Sequence, residues 1–308
     1  MNSFDLSVDL GRGLRLPNPV MTASGTFGYG EEASEYFDIS RLGAVVVKGI
    51  SAQPRPGNPP PRVVETPSGM LNSIGLQNVG LEAFITDKMP FLRDAGARVI
   101  VNVLGSTVEE YAAVCERLDG VEGVKALEIN ISCPNVKEGG VQFGMREELA
   151  SHLVEVLREV TGLHLMVKLS PNCGNIAGMA LVVEEAGADS VSLINTITGM
   201  EIDIRKRRPV LGGIVGGLSG PALRPIALRM VHETFRAVKI PVVGIGGIME
   251  AEHALKFIIA GASAVQVGTA TFKDPLAPLR ILESMGQWLK DEGTVVRSLV
   301  GTLRIDGA

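Results

Sequence analysis

Lys125-Ala126-Leu127-Glu128-Ile129-Asn130-Ile131-Ser132-Cys133-Pro134-Asn135 is a strand-like aliphatic run that closes on two amides and a thiol, where strand gives way to loop. The same layout, polar residues ending apolar strands, recurs along the chain. Candidate strands are Val20–Ser24, Ala44–Lys48, Arg98–Val103, Ala126–Ile131, Leu165–Leu169, Ser190–Asn195, Pro241–Ile245 and Ala264–Val267. Amphipathic segments lie between them, near Glu32–Phe37, Leu81–Ala95, Val108–Leu118, Glu147–Val160, Ile176–Ala186, Ala222–Val238, Ala251–Ala260 and Leu276–Lys290. Several end in Ala-Gly-Ala, where glycine suits the left-handed turn that stops a helix. About eight strand–helix units predict a single-domain (β/α)₈ TIM barrel over residues 1–308, with a doubly wound open sheet as the alternative.

Composition agrees. The chain of 308 residues is 45% hydrophobic but only 4% aromatic, so its core is built from Val, Ile, Leu and Ala, as buried parallel strands require. A net charge of −5 leaves no footprint for nucleic acid, and the short basic run Arg205-Lys206-Arg207-Arg208 reads as a solvated loop. Met1 to Leu10 carries two acids and no apolar h-region, and no apolar run approaches the roughly 20 residues of a membrane helix. A cytoplasmic protein is expected. Three widely spaced cysteines argue against a disulfide framework, a zinc site or an iron–sulfur cluster held by this chain alone.

Three connections are long: Gly49 to Asn78, Cys133 to Met145, and Thr196 to Ser219. Each follows a strand, so a barrel places all three over its C-terminal face, where active sites lie. Leu6–Leu10 and Leu14–Leu16, joined through Gly11-Arg12-Gly13, read as a hairpin capping the opposite end.

Side chains alternate faces along a strand, so strand parity is informative. The apolar strands end in Lys48, Asn102, Asn130, Lys168 and Asn195. One such residue is more simply a satisfied structural group, but five at corresponding positions predict a polar ring in one pocket. Amides and ammonium groups suit a planar ligand with carbonyl, N–H and anionic edges. Glu128 shares the parity of Asn130 one layer deeper, where it needs a partner such as a lysine, and it reads as structural. Gly246-Gly247 and Gly268-Thr269 end the last two strands, the usual phosphate seat of such barrels. No GxGxxG occurs. Cys133 opens a long glycine-containing loop beside Asn130 and Asn135, where a thiol of ordinary pKa about 8.5 can act as a general base. His152, His164, His232 and His253 read as lying away from the mouth, which disfavours a Cys–His nucleophile. Cys115 reads as a buried small hydrophobe, and Cys173 carries no assigned role.

These residues resemble dihydroorotate dehydrogenase. The resemblance spans the chain and is carried by Val47-Lys48-Gly49, Asn72-Ser73-Ile74-Gly75-Leu76-Gln77-Asn78, Asn130 to Asn135, Val167 to Asn172, Ile194-Asn195-Thr196, Gly217 to Pro221 and Gly246-Gly247. It implies FMN across the barrel mouth, with its phosphate on Gly246, Gly247, Gly268 and Thr269. Ser24, Lys48, Gly49, Asn102, Asn130, Lys168, Ile194 and Gly220 would hold the rest of the cofactor. Dihydroorotate would be gripped by Lys48, Asn72, Ser73, Ile74, Gly75, Leu76, Asn130, Asn195 and Thr196. Cys133 would take the C5 proton while C6 gives a hydride to flavin N5. Lys168 would offset charge on the reduced flavin, and the Cys133–Met145 loop would act as a lid.

Cysteine rather than serine at position 133 resembles class 1, and Val136-Lys137-Glu138-Gly139-Gly140-Val141-Gln142-Phe143-Gly144 resembles the NAD-linked class 1B. That implies an iron–sulfur flavoprotein partner carrying FAD and [2Fe–2S], in a heterotetramer of two catalytic and two partner chains, with no metal on this chain. Small departures are Val79, Met145-Arg146 and Gly178, the last expected to weaken its helix. The alternatives are a fumarate-linked class 1A enzyme, a dehydrogenase of another dihydropyrimidine, a flavin-free isomerase or lyase of a phosphorylated metabolite, and a non-catalytic electron-transfer subunit.

Overall fold

The computed structural model describes residues 5–132 and 143–305. Eight short strands form one parallel sheet: Val20–Thr22 (β1), Val45–Val46 (β2), Val99–Val103 (β3), Val124–Asn130 (β4), His164–Lys168 (β5), Ser190–Leu193 (β6), Val242–Ile245 (β7) and Ala264–Val267 (β8). Neighbours in the sheet are neighbours in the chain, and β8 pairs with β1. A parallel bridge between Met21 and Ala44, with a 2.8 Å bond from Gly43 N to the Val20 carbonyl, joins β1 to β2 and closes the ring. The protein is a (β/α)₈ barrel. All five residues of β3 and of β5 are buried, which explains the unbroken apolar runs: one face meets the barrel interior and the other meets helices.

Outer helices include Val108–Asp119, Glu147–Val160, Ile176–Glu185, Arg224–Ala237, Ala251–Ala260 and Ala277–Asp291. Side-chain caps start two of them: Thr107 accepts from Glu110 N and Asn175 from Gly178 N. Gly178, expected only to weaken its helix, is where a Cβ would overlap the capping amide of Asn175. The single helix expected over Leu81–Ala95 is instead α-helix at Leu81–Ala83, π-helix at Phe84–Lys88 and α-helix at Met89–Asp94. Pro90 offers no N–H for a bond to the carbonyl four residues back, so the regular ladder cannot run through it.

The hairpin Val8–Asp9 with Arg15–Leu16 floors the barrel. His164, the first residue of β5, holds it through Nδ1 at 3.1 Å from the Gly11 carbonyl, and Arg12 reaches Asp189 at 3.5 Å. The opposite face differs from expectation. The two longest connections are not simple loops: Ile197–Gly199, Gly216–Ser219, Gly69–Asn72 and Val63–Thr66 form a four-stranded antiparallel sheet over the mouth. The pairing of Gly217 with Asn72 joins distant segments, so no hairpin signal announces it. Arg205, Lys206, Arg207 and Arg208 stand in solvent, as expected. Among the described residues, no helix is long and apolar enough to cross a membrane.

Candidate active site

The strand ends converge as parity predicts, but in a stagger. Register sets Asn130 beside Lys168 and Lys168 beside Ser192, whereas Asn102 is level with Glu128. The ring therefore steps between layers, and hydrogen bonds link the steps. Asn195 Nδ2 lies 3.3 Å from Asn130 Oδ1, and Asn130 Nδ2 lies 3.5 Å from Asn102 Oδ1. Asn102 Nδ2 donates to Glu128 Oε2 over 2.6 Å, and Lys168 Nζ stands 3.6 Å from the same oxygen and 3.1 Å from Ser24 Oγ. Glu128, Asn102, Asn130 and Lys168 are all buried, so the mouth rests on a desolvated polar chain.

Above it opens a cavity of about 540 Å³, within the range of small-molecule and cofactor sites. Apart from Cys133, every residue assigned from the sequence to cofactor or substrate lines it. Ser24 follows β1, and Lys48 and Gly49 follow β2. Asn72 to Leu76 descend from the covering sheet. Asn102 is the penultimate residue of β3, Asn130 and Lys168 end β4 and β5, and Ile194, Asn195 and Thr196 follow β6. Gly220 enters beside the pair Gly246 and Gly247 after β7 and the pair Gly268 and Thr269 after β8. Cys133, and most of the loop expected as a lid, lie outside the described residues.

Lys48 is half-buried, and burial, followed by the charge of Arg62, holds its ammonium below the usual lysine range. At Gly247, with φ 68°, a Cβ would stand 2.9 Å from the Gly220 carbonyl and from Arg224. Backbone rather than side chain faces the cavity there, as an anionic phosphate requires. Thr269 Oγ1 is hydrogen-bonded to Ser219 Oγ at 2.8 Å. Two lysines, three strand-end amides and glycine turns around partly apolar walls form a donor set that fits a planar heterocycle bearing a phosphate, as in FMN.

Other residues of the site were given no role of their own from the sequence. Asn172 Nδ2 donates to the Thr196 carbonyl and its Oδ1 accepts from Thr198 N, both at 3.2 Å, so it pins the strand of the covering sheet beside Asn195. Ser132 N donates to Asn130 Oδ1 over 3.1 Å. Ser192 and Gln266 sit under the mouth, and their signal was a polar side chain inside an aliphatic strand. His253, expected on a helix away from the mouth, is on a helix and does not line the cavity, but it packs against residues close to the cavity. It occupies the first turn of Ala251–Ala260, just after the Gly246-Gly247 turn, with Nε2 2.7 Å from Arg224 Nη1. Burial, then Arg224, holds this imidazole below its ordinary range.

The dihydroorotate dehydrogenase family model matches residues 7–289. The chain is 56% identical over 304 residues to the dihydroorotate dehydrogenase B (NAD(+)) catalytic subunit of Geotalea uraniireducens, covering 98% of this chain and 99% of that one. It is 58% identical over 299 residues to the protein of the same name from Trichlorobacter lovleyi, covering 97% and 98%. For the one from Geobacter sulfurreducens the values are 56% over 306 residues, covering 99% and 100%. With the closed barrel and the cavity at its mouth, these matches establish that the chain belongs to the dihydroorotate dehydrogenase family.

Proposed function

We propose that this chain is the catalytic subunit of a cytoplasmic, NAD-linked dihydroorotate dehydrogenase that oxidises (S)-dihydroorotate to orotate in pyrimidine synthesis. The observation that carries the reading is the continuous polar chain Asn195–Asn130–Asn102–Glu128–Lys168–Ser24 under a cavity edged by glycine turns. When bound, FMN supplies the two-electron acceptor. Backbone at Gly246, Gly247 and Gly268, with Thr269, would hold its phosphate, while Ser24, Gly49, Asn102, Ile194 and Gly220 would seat the rest. Lys168 would set a positive charge against the ring system, an electrostatic contribution fixed before reaction.

Lys48 would pair with the substrate carboxylate. Asn72 to Leu76, Asn130, Asn195 and Thr196 would fix the pyrimidine edge and present C6 to the cofactor. Cys133 would remove the C5 proton as general base. The electrons would leave through an iron–sulfur flavoprotein subunit carrying FAD and [2Fe–2S], in a heterotetramer of two chains of each kind. The name of the relatives, a catalytic subunit linked to NAD(+), supports that partner.

The purified chain is expected to be yellow. Cys133→Ser should retain FMN yet reduce it with dihydroorotate at least a hundredfold more slowly in stopped-flow absorbance, the range of general-base contributions. Wild-type kinetics in that variant would reject the assignment of the base. Efficient turnover of the isolated chain with fumarate would reject the NAD-linked partner.

A further inference from the structure

Glu128 lies at the bottom of the polar chain with no exposed side-chain surface. Both carboxylate oxygens are engaged. Oε1 accepts from Ser192 Oγ at 2.8 Å and Gln266 Nε2 at 2.6 Å, and Oε2 accepts from Asn102 Nδ2 at 2.6 Å and faces Lys168 Nζ at 3.6 Å. Two of these partners, Asn102 and Lys168, line the cavity, so Glu128 touches the site from below without entering it.

Holding Asn102 and Ser192 in place does not need a full charge: an amide of the same shape keeps one acceptor oxygen for Ser192 and Gln266, and its NH2 would pair with Asn102 once that side chain turns its own oxygen toward it. A buried carboxylate loses its hydration, and neutral replacements of buried ion pairs are often no less stable. What the carboxylate adds is a fixed negative charge beneath a cation that faces the cavity, in surroundings that screen it weakly. Lys168 is itself only 5% exposed, and the other polar contact of its ammonium among the described residues is Ser24 Oγ.

We propose that Glu128 is a positioning residue that sets the reduction potential of the flavin: its charge, delivered through Lys168 and Asn102, offsets part of the lysine cation and keeps the potential below the value Lys168 alone would produce. The inference rests on the reading of the cavity as an FMN seat. A flavin that takes electrons from a substrate and hands them to a further carrier needs a potential matched to both. An unopposed ammonium beside it would favour its reduced, more negative form and hinder the onward step.

The test is spectroelectrochemical titration of the FMN-loaded protein. Glu128→Gln keeps size and one acceptor oxygen, turns the other oxygen into an NH2 donor and removes the charge. It should bind FMN and shift the midpoint potential positive, with the reduced-to-oxidised ratio at fixed potential rising about tenfold, about 30 mV for a two-electron couple. Glu128→Asp, which restores the charge, should return the potential toward wild type. A Gln variant with bound FMN and an unchanged potential would overturn the proposal and leave Glu128 an anchor only. Should the Gln variant not fold, Ser192→Ala removes one donor from Oε1 and leaves the charge less shielded. A negative shift is then expected, and no shift overturns the proposal. Wild-type protein that takes up no FMN would overturn the reading of the cavity itself, a failure visible before any variant is made.

Discussion

Tyr111 Oη donates a 2.6 Å hydrogen bond to the carbonyl of Asn130, tying the outer helix Val108–Asp119 to the end of β4. The phenol is fully buried, and its ring meets Phe143 edge-on at 5.7 Å between centroids. Gly105 packs against the same ring, where a Cβ would come within 2.6 Å of it. The strand end that presents Asn130 to the cavity is therefore held from outside the barrel.

Tyr111→Phe should cost about 1–3 kcal/mol, because a buried carbonyl loses its hydroxyl partner and no water replaces it. Urea unfolding of the FMN-free protein measures this. Stability equal to wild type would show that the bond does not anchor β4.

Lys48, as the proposed carboxylate partner, is expected to set an alkaline limit. Its pKa lies below the ordinary 10.5 because of burial first and Arg62 second. Between the folded value and 10.5 the unfolded chain holds more protons, so this group's penalty on stability, complete at lower pH, is relieved as pH rises through that window. With Lys48 as the proposed partner of the substrate carboxylate, substrate binding would run the other way, since the carboxylate needs the cation. KM for dihydroorotate should rise as pH climbs through the lowered value, before 10.5 is reached. In Lys48→Met the KM should be raised at all pH values and this limb should vanish; a surviving limb would assign it to another group.

Gly244 in β7 faces the buried ring of Phe257 in the helix that follows, and an ideal Cβ there would overlap the ring. Gly244→Ala should destabilise the protein by about 1–3 kcal/mol through overpacking. Gly120→Ala, where a Cβ meets nothing within 4 Å, is the matched control and should stay within about 0.5 kcal/mol of wild type. Equal thermal shifts for the two variants would contradict the packing argument.

Cys115 is fully buried, and burial pushes its thiol up to about 12. Cys173, half-buried with Sγ 3.0 Å from the Ser170 carbonyl, is also raised by burial. The thiolate is the reactive form, so neither should be alkylated rapidly by iodoacetamide at neutral pH, and Cys115 only on unfolding. Peptide mass mapping over time reads this, and early modification of Cys115 would contradict its packing.

The barrel was legible because its signals are local. Aliphatic runs such as Val99–Val103 and capped amphipathic helices carry their period within a few residues. Parity also pointed Lys48, Asn102, Asn130, Lys168 and Asn195 to one place, and all five line the cavity. Expectation failed where partners are remote. Glycine-rich residues 216–219 read as loop because the strand they join, Gly69–Asn72, comes from another part of the chain. The contact of His253 with Arg224 was equally unreadable, because it joins two different helices.

By itself, then, the sequence determined the alternation of strand and helix, the inward polar strand ends and the glycine turns, since each depends on neighbours along the chain. Only the tertiary structure decided the stagger of the polar ring, the sheet over the mouth and the engagement of both oxygens of Glu128. Those depend on barrel closure, which brings Gln266 to Glu128 across 138 positions and Lys168 to Ser24 across 144. No local pattern encodes such a meeting, because it follows from the register of strands around a closed ring.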